Sequence, residues 1–211
     1  MSGRLLILGA SGHGKVAGDC ARAVGAWPEL LFFDDCWPEL RVCGAWQVAG
    51  RGADLSASVL PGDQVFVAIG NSTARLDWLD RLQGAGLNVA TIIHPSAILS
   101  REMSLGTGSL VVAGAVVNIG CMTGKGCIVN SGATVDHDCI LGDGVHICPG
   151  VNLAGGVQVG DGSWIGIGSS VVQGIRIGAG VMVGAGAAVV DHVADGLTVV
   201  GVPARPVVRN C

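Results

Sequence analysis

A histidine between two aspartates, at residues 136 to 138, is the group in this 211-residue chain best suited to catalysis. A neutral imidazole with a pKa near 6.5 can accept a proton at neutral pH, as a general base must. A neighbouring carboxylate can fix the tautomer of the ring and stabilise the imidazolium that forms. We predict that His137 is a general base oriented by Asp138 or Asp136, and we favour Asp138. The alternative is a solvated corner with three polar side chains.

This histidine interrupts a six-residue repeat that runs from Leu99 to Val189. Every sixth residue of that stretch is aliphatic, apart from Thr123. The residue three places after the aliphatic one is glycine from residue 108 to residue 186, except at Asp138. A six-residue period is typical of a parallel β-helix, in which three hexads form one triangular coil. The repeat therefore predicts stacked coils with glycine at the corners, and it places His137 at one corner.

Residues 1–94 have a different pattern, in which strands and helices alternate. This pattern predicts a small α/β domain with a parallel sheet that binds ligands at the carboxyl ends of its strands. Residues 95–211 form the β-helix domain, with a C-terminal cap after residue 190. The predicted strands of the first domain are 4–8, 30–35, 64–70 and 88–93, and its predicted helices are 15–25 and 73–84, the second capped by Asn71 or Ser72.

Several polar and glycine residues follow the predicted strands of the first domain. The glycine-rich turn does not have the spacing of the dinucleotide fingerprint, but it places amides at a helix N-terminus, where phosphate binds well. Two aspartates end the second strand and can accept hydrogen bonds from a ribose or a base. The alternatives are a purely structural turn and a solvated strand end. The candidate residues are Gly9, Ser11, Gly12, His13 and Gly14 in the turn, Asp34 and Asp35 after the second strand, and Gly70 and Asn71 after the third.

Composition narrows the possible partners. The net charge is −4 and no basic block is present, which argues against binding to nucleic acid or to an anionic membrane. The N-terminus lacks the layout of a signal peptide, so we expect a cytoplasmic protein. Only 13% of residues are charged, so we expect apolar surface to be buried between subunits. No two of the eight cysteines have C-x-x-C spacing, and we predict small buried side chains and no metal site.

The ordered motifs GASGHG, FFDD, AIGN, HPSA, VDHD, GDGVHI and GVPA resemble those of the PglD/NeuD-type sugar acyltransferases. The resemblance covers nearly the whole chain, and it implies that the β-helix is left-handed. It also implies a homotrimer with acetyl-CoA in the cleft between adjacent prisms. Members of this family transfer an acetyl group to an amine or a hydroxyl of a sugar, which is nucleotide-linked in the PglD branch.

The same resemblance implies roles for individual residues. His137 matches the family's general base and Asn130 an asparagine near the active site. His146 follows the outward phase of its strand and matches a position near the acetyl group. The alternatives are a packing histidine and a turn amide bound to local backbone. Two departures from PglD are aspartates in place of glutamates around His137 and an alanine in place of a glycine in the cofactor set. That set is His146, Gly155, Ile167 and Ala185, and the glycine turn with His13 is assigned to the sugar nucleotide.

We therefore predict an acetyl-CoA-dependent N-acetyltransferase that acts on the 4-amino group of a nucleotide-linked amino sugar. The amine attacks the thioester directly, and His137 accepts its proton. One alternative is an O-acetyltransferase that acts on a sialic acid or a similar sugar hydroxyl. Another is a β-helix that binds a nucleotide or serves as a scaffold without catalysis. A nicotinamide-dependent oxidoreductase is a weaker alternative, because the glycine spacing is wrong and the first domain is small.

Overall fold

The computed structural model describes residues 3–207. The chain divides into two compact units, Met1–Pro95 and Ser96–Cys211. Among residues 3–207, no helix has the length and apolar character needed to cross a membrane.

Residues 3–95 of the first unit contain six strands and three α-helices. The strands are β1 Leu5–Leu8, β2 Leu30–Phe33, β3 Val42–Cys43, β4 Trp46–Gly50, β5 Gln64–Val67 and β6 Ile92–Ile93, and the helices are α1 Gly12–Val24, α2 Leu55–Ser58 and α3 Ser72–Gly84. Five of the strands form a sheet in the order β3-β4-β2-β1-β5. Strands β1, β2, β4 and β5 are parallel, and β3 is antiparallel to β4. Because parallel strands are buried on both faces, β1 is wholly apolar and fully buried.

The structure corrects the sequence prediction at several elements. Strand β2 ends at Phe33 and β5 at Val67, short of the predicted ends at 35 and 70, and helix α2 was not predicted. Helix α1 begins at Gly12, so His13 and Gly14 lie in its first turn and not in the preceding loop. The predicted fourth strand is reduced to β6 and an isolated bridge between Val65 and Val89. The β3–β4 hairpin was not predicted, because its apolar residues are too few for a strand pattern. The predicted cap of α3 is Asn71, whose side chain accepts a hydrogen bond from the N–H of Ala74.

The second unit is built from two-residue parallel strands that stack in three ladders, which we call the first, second and third faces. Up to Val189, residue i pairs with residue i+18 along each ladder, as three hexads per coil require. At the last step of the first face, Met182 pairs with Thr198, and the separation falls to 16 residues. The first face contains Leu110–Val111, Ile128–Val129, His146–Ile147, Trp164–Ile165, Met182–Val183 and Thr198–Val200; the second contains Ile98–Leu99, Val116–Val117, Thr134–Val135, Asn152–Leu153, Ser170–Val171 and Ala188–Val189; and the third contains Met122–Thr123, Ile140–Leu141, Gln158–Val159 and Arg176–Ile177.

The core of the second unit consists of the aliphatic column and the small residues two places before it. From Val129 to Val189 the aliphatic column is at most 3% exposed. Cys121, Cys127 and Cys139 are buried in the small-residue column, and their thiols donate to backbone carbonyls of the next coil. Burial raises the pKa of Cys139 to about 11, so this thiol stays protonated and serves packing. At the C-terminal end, Arg205–Pro206 pairs antiparallel with Thr198–Val200.

Two-residue turns join the faces at the corners of each coil. In all fourteen turns from residue 107 to residue 186, the second residue has a positive φ between 58° and 74°. Thirteen of these residues are glycine, and the exception is Asp138, with a φ of 58°. The left-handed region costs an L-residue about 1–2 kcal/mol, less for aspartate than for bulkier side chains. Asp138 is therefore retained at a conformational cost that glycine avoids.

This cost predicts opposite effects for two exchanges. Gly180→Ala, at a turn with a φ of 62° and open space around the missing Cβ, should lower the free energy of unfolding by about 1 kcal/mol. Asp138→Gly should leave the free energy of unfolding unchanged or raise it by up to about 1 kcal/mol. Glycine removes the left-handed strain, but part of that gain is lost because glycine gives up more conformational entropy on folding. Urea unfolding of both variants measures the difference. A clear loss of stability in Asp138→Gly would contradict this interpretation of the turn.

Candidate active site

His137 and Asp138 occupy the turn that joins the second face to the third. The side-chain Nδ1 of His137 lies 2.8 Å from Oδ2 of Asp138. Because an ionised carboxylate only accepts hydrogen bonds, Nδ1 carries the proton. In the neutral ring Nε2 then has a free lone pair and is the basic atom. The imidazole is accessible, with 57% of the side chain exposed.

Asp136 has a different partner. Its Oδ1 accepts hydrogen bonds from the backbone N–H of His137, at 2.8 Å, and from Nδ2 of Asn118 one coil earlier, at 2.9 Å. It makes no hydrogen bond to the imidazole. Of the two aspartates, Asp138 therefore orients the ring, whereas Asp136 fixes the backbone and contributes negative charge. Asn118 was missed by the sequence analysis, because a lone asparagine one coil into the repeat carries no distinctive pattern.

Both carboxylates act on the titration of the imidazole. The hydrogen bond to Asp138 has the larger effect, followed by the charge of Asp136, and together they raise the pKa of His137 above its ordinary value. This shift makes His137 a stronger base than a free imidazole. As the pH falls, this imidazole therefore becomes protonated at a higher pH than the imidazole of an isolated histidine.

Gly155 is stacked directly on His137, one coil further along the same corner. A Cβ built on Gly155 would fall less than 3.0 Å from both Nε2 and Cε1 of the imidazole. Within residues 3–207 the backbone N–H of Gly155 has no hydrogen-bond acceptor. The imidazole of His137 therefore packs against a residue whose backbone N–H has no acceptor in the described chain.

The other predicted residues of the β-helix lie elsewhere in the same copy. Asn130, Ile167 and Ala185 are found where the first face joins the second, one full side of the prism away from His137. Ile167 is exposed, at 57%. We call this edge the Asn130 corner and the edge with His137 and Gly155 the His137 corner. In one copy of the chain the predicted catalytic and cofactor residues thus form two separate groups.

His146 corrects one expectation. We expected an outward and accessible side chain, but the residue is only 5% exposed. Its Nε2 lies 3.2 Å from Nδ2 of Asn130, and its ring packs on Trp164 with centroids 4.1 Å apart. The amide nitrogen can only donate, so Nε2 accepts and the ring is held by packing and by a hydrogen bond. The side chain points outward from the first face, as its position in the strand requires, but neighbouring side chains cover it.

In the first unit, five of the nine predicted rim residues line a cavity of about 260 Å³, and Gly12, His13, Gly14 and Asn71 do not. It lies at the carboxyl ends of β1, β2 and β5, as expected for a parallel sheet. Trp78 of α3 forms one wall and was missed, because a single tryptophan on a helix has no diagnostic pattern. Asn71 instead caps α3, and Gly12, His13 and Gly14 belong to α1. The lining residues are Leu8, Gly9, Ser11, Asp34, Asp35, Ala68, Ile69, Gly70 and Trp78.

The two aspartates of this rim differ in whether a carboxylate oxygen is left to bind a ligand. Both oxygens of Asp34 are used, since they accept the N–H groups of Ala10, at 2.8 Å, and Cys36, at 3.0 Å. Burial alone raises the pKa of Asp34, but these two donors outweigh it and hold the pKa below its ordinary value. Asp35 uses Oδ1 to accept the N–H of Gly52, at 3.0 Å, and keeps Oδ2 for another donor.

A fully buried arginine lies behind the rim. Arg75 of α3 is 1% exposed, and its Nη1 donates to the carbonyls of Ile69 and Gly70, at 2.7 and 2.8 Å. Burial and the nearby charge of Arg75 lower the pKa of His13 to about 4. His13 is therefore neutral at physiological pH and cannot offer a positive charge to a phosphate.

No group of three or more His, Cys, Asp or Glu residues within residues 3–207 is arranged to hold a metal ion. The chemistry available at the His137 corner is proton transfer by an oriented imidazole beside an amide donor. The first unit offers a small cavity with one carboxylate oxygen and an aromatic wall.

Comparisons with known proteins agree with a small α/β domain followed by a β-helix. Residues 4–82 match the PglD N-terminal domain family. The acetyltransferase domain of PglB from Neisseria gonorrhoeae FA1090, solved with acetyl coenzyme A, superimposes with a TM-score of 0.94 and 38% identity over 98% of this chain and 100% of that one. PerB from Caulobacter crescentus, solved with CoA and GDP-perosamine, has a TM-score of 0.89 and 37% identity over 96% of both chains.

A curated relative is the UDP-N-acetylbacillosamine N-acetyltransferase of Bacillus subtilis (strain 168), which is 36% identical over 108 residues. That match covers 51% of this chain, and the chain spans about half (50%) of that relative's length. The structural matches confirm the predicted fold class, a small α/β domain followed by a left-handed β-helix. From the motifs, the matched N-terminal domain and the similarity to solved acetyltransferases over nearly its whole length, we conclude that this chain belongs to the PglD/NeuD-type sugar acyltransferases.

Proposed function

We propose that this protein transfers the acetyl group of acetyl-CoA to the 4-amino group of a nucleotide-linked amino sugar. The observation that carries the proposal is the 2.8 Å contact between Nδ1 of His137 and Asp138, which leaves Nε2 basic and accessible. The relatives solved with acetyl coenzyme A, and with CoA and GDP-perosamine, support this choice of substrates.

His137 acts as the general base of the transfer. The amine nitrogen bonds to the thioester carbonyl carbon while its proton passes to Nε2. Collapse of the tetrahedral adduct breaks the C–S bond, and the imidazolium can return the proton to the departing thiolate. Asp138 keeps Nδ1 protonated throughout, so Nε2 is the only nitrogen that exchanges the proton. The step needs neither a metal ion nor a covalent enzyme intermediate.

The backbone N–H of Gly155 is the proposed donor to the developing oxyanion. A preorganised donor beside the reacting carbonyl stabilises the charge of the tetrahedral adduct. This amide has no other acceptor within residues 3–207, and it belongs to the residue that the imidazole packs against. In this proposal one corner of the β-helix supplies both the base and the donor.

A neighbouring copy completes the site in this proposal. The His137 corner and the Asn130 corner are on opposite sides of the second face, so one copy does not bring Asn130 and Ile167 to His137. A symmetric trimer brings one corner of each prism against the other corner of the next. The exposed Ile119 (50%) and Ile167 (57%), one on each corner, support such a contact, because apolar side chains at both edges are suited to burial between subunits.

The nucleotide part of the substrate binds in the rim cavity of the first unit. The free Oδ2 of Asp35 accepts a hydrogen bond from a ribose hydroxyl or a base N–H, and Trp78 stacks against the planar base. Asp34 has no free oxygen and serves to hold the glycine turn. A site of action in the cytoplasm, where acetyl-CoA is made and thiols stay reduced, accords with the free cysteines of the described residues.

An assay with two acceptors tests the proposed reaction. The protein is incubated with acetyl-CoA and either a 4-amino sugar nucleotide, in its UDP and GDP forms, or a sialic acid, and CoA release is followed with a thiol reagent. We expect transfer to the amino sugar alone. Transfer to sialic acid would indicate the O-acetyltransferase, and no transfer with no thermal shift by acetyl-CoA would indicate a binding protein without this activity.

His137→Ala should reduce kcat by roughly 10²–10⁴-fold, the usual contribution of a general base. The KM for acetyl-CoA should change little, because the ring acts on the proton of the acceptor. Steady-state kinetics at saturating acetyl-CoA measures the effect. Turnover near that of the wild type would eliminate the mechanism, although not the fold.

Asp138→Asn should shift the pH profile of kcat/KM. The base is active when deprotonated, so activity falls as the pH drops through the pKa of His137, which Asp138 holds above its ordinary value. Loss of the negative charge lowers that pKa, and the acid limb should move to lower pH. The plateau should also fall by about 10–100-fold, as for other residues that orient a histidine. An acid limb that stays in place would show that another group controls it.

Asp35→Asn and Asp34→Asn form a matched pair for the nucleotide. Asp35→Asn should raise the KM for the sugar nucleotide roughly 10–100-fold, the effect of losing a charged hydrogen bond, with the KM for acetyl-CoA unchanged. Asp34→Asn should instead lower the thermal stability, because an amide cannot accept both backbone N–H groups. The reverse assignment, with Asp34→Asn affecting only KM, would contradict the division of roles.

A further inference from the structure

The β-helix departs from its turn pattern at two neighbouring positions. The second residue of the turn is glycine everywhere from residue 107 to residue 186 except at Asp138. The first residue carries a side chain in every one of these turns except at Gly155. These two exceptions lie in successive coils of the His137 corner, and both meet the His137 imidazole.

The backbone does not require glycine at residue 155. Its φ lies outside the left-handed region, so any L-residue fits the conformation. The same position one coil earlier than His137 is Ile119, and the position one coil after Gly155 is Gln173. Across the other turns it is Thr107, Ala113, Lys125, Ser131, Asp143, Pro149, Asp161, Ile167, Ala179 and Ala185.

The position of the imidazole, and not the backbone conformation, explains why residue 155 is glycine. A Cβ on Gly155 would fall less than 3.0 Å from Nε2 and Cε1 of His137, and real Cβ atoms essentially never show contacts this short. It would also lie 3.0 Å from Cδ2 of the same ring. All three of the nearest atoms belong to that one ring. The ring of His137 therefore occupies the volume that a side chain at residue 155 would take.

We propose that Gly155 is a positioning residue for the general base, in addition to its backbone contribution. The missing side chain lets the imidazole lie against the next coil while Asp138 holds Nδ1 from the other side. The orientation of Nε2 is thus fixed by one attractive contact and one steric vacancy. This inference deepens the proposed function, on which it rests.

We expect a side chain at residue 155 to change the orientation of the His137 imidazole more than it changes folding. His137 is an exposed side chain with rotatable bonds, so a methyl group at residue 155 can displace the ring without disturbing the coil. The displaced ring gives up its 2.8 Å contact with Asp138. The backbone N–H of residue 155 is retained in alanine, so any loss is not due to removal of the amide donor.

The test is Gly155→Ala, with Gln173→Ala as the matched control at the same turn position one coil further on. We expect kcat to fall about 100-fold, the effect of misplacing a catalytic group by about 1 Å. Thermal stability and the Kd for CoA should remain those of the wild type. An NMR titration should show the pKa of His137 shifted downward towards that of a free imidazole, and Gln173→Ala should leave the pKa unchanged.

A double variant separates this role from the alternatives. In the His137→Ala background, Gly155→Ala should cause no further loss of kcat. If Gly155→Ala alone does not fold, folding of the double variant supports the steric role, and failure of both overturns it. An unchanged kcat and pKa in Gly155→Ala, or a raised Kd for CoA as the sole effect, would also overturn the inference while leaving the function intact. Wild-type turnover in His137→Ala would instead refute the proposed catalytic mechanism, and no transfer by the wild type would refute the proposed function itself.

Discussion

A positive φ is required once in every six residues of this β-helix, and that requirement limits where the chain can carry chemistry. Glycine meets it at thirteen of fourteen turns, so a polar side chain at this position carries a conformational cost. The single non-glycine residue is Asp138, and its carboxylate binds the adjacent imidazole at 2.8 Å. The regular turn pattern of the β-helix is thus interrupted next to the histidine that we propose as the base. The interruption is small enough that the ladders on both sides of it keep their register.

The division of the site between two corners has a second consequence. The residues proposed for acyl transfer, His137 and Gly155, are on one edge, whereas Asn130 and Ile167 are on another. A prism with rigid, closely stacked coils cannot bend to bring them together. Association of copies is then part of the proposed catalytic design, and the low content of charged residues agrees with that proposal. The cavity proposed for the nucleotide, by contrast, is lined by residues of the first unit alone.

The repeat made the β-helix predictable, because a six-residue period specifies strands, corners and core columns together. It also marked Asp138, since a violation is visible only against a strict pattern. Three features escaped prediction for a common reason, which is that they depend on neighbours eighteen or more residues away. Asn118 supports Asp136 from the preceding coil, His146 is covered by Trp164, and Gly155 gives space to His137. In the first unit, the sequence did not distinguish Asp34 from Asp35, because their difference depends on which backbone N–H groups donate to each carboxylate.

The most direct measurement is a crystal structure of the protein with CoA and an amino sugar nucleotide bound. We expect the amine nitrogen to lie within hydrogen-bond reach, about 2.6–3.2 Å, of Nε2 of His137. We also expect the sulfur of CoA to lie beside the N–H of Gly155. A complex with the sulfur and the amine at another edge of the prism, and no ligand near His137, would contradict the central claim.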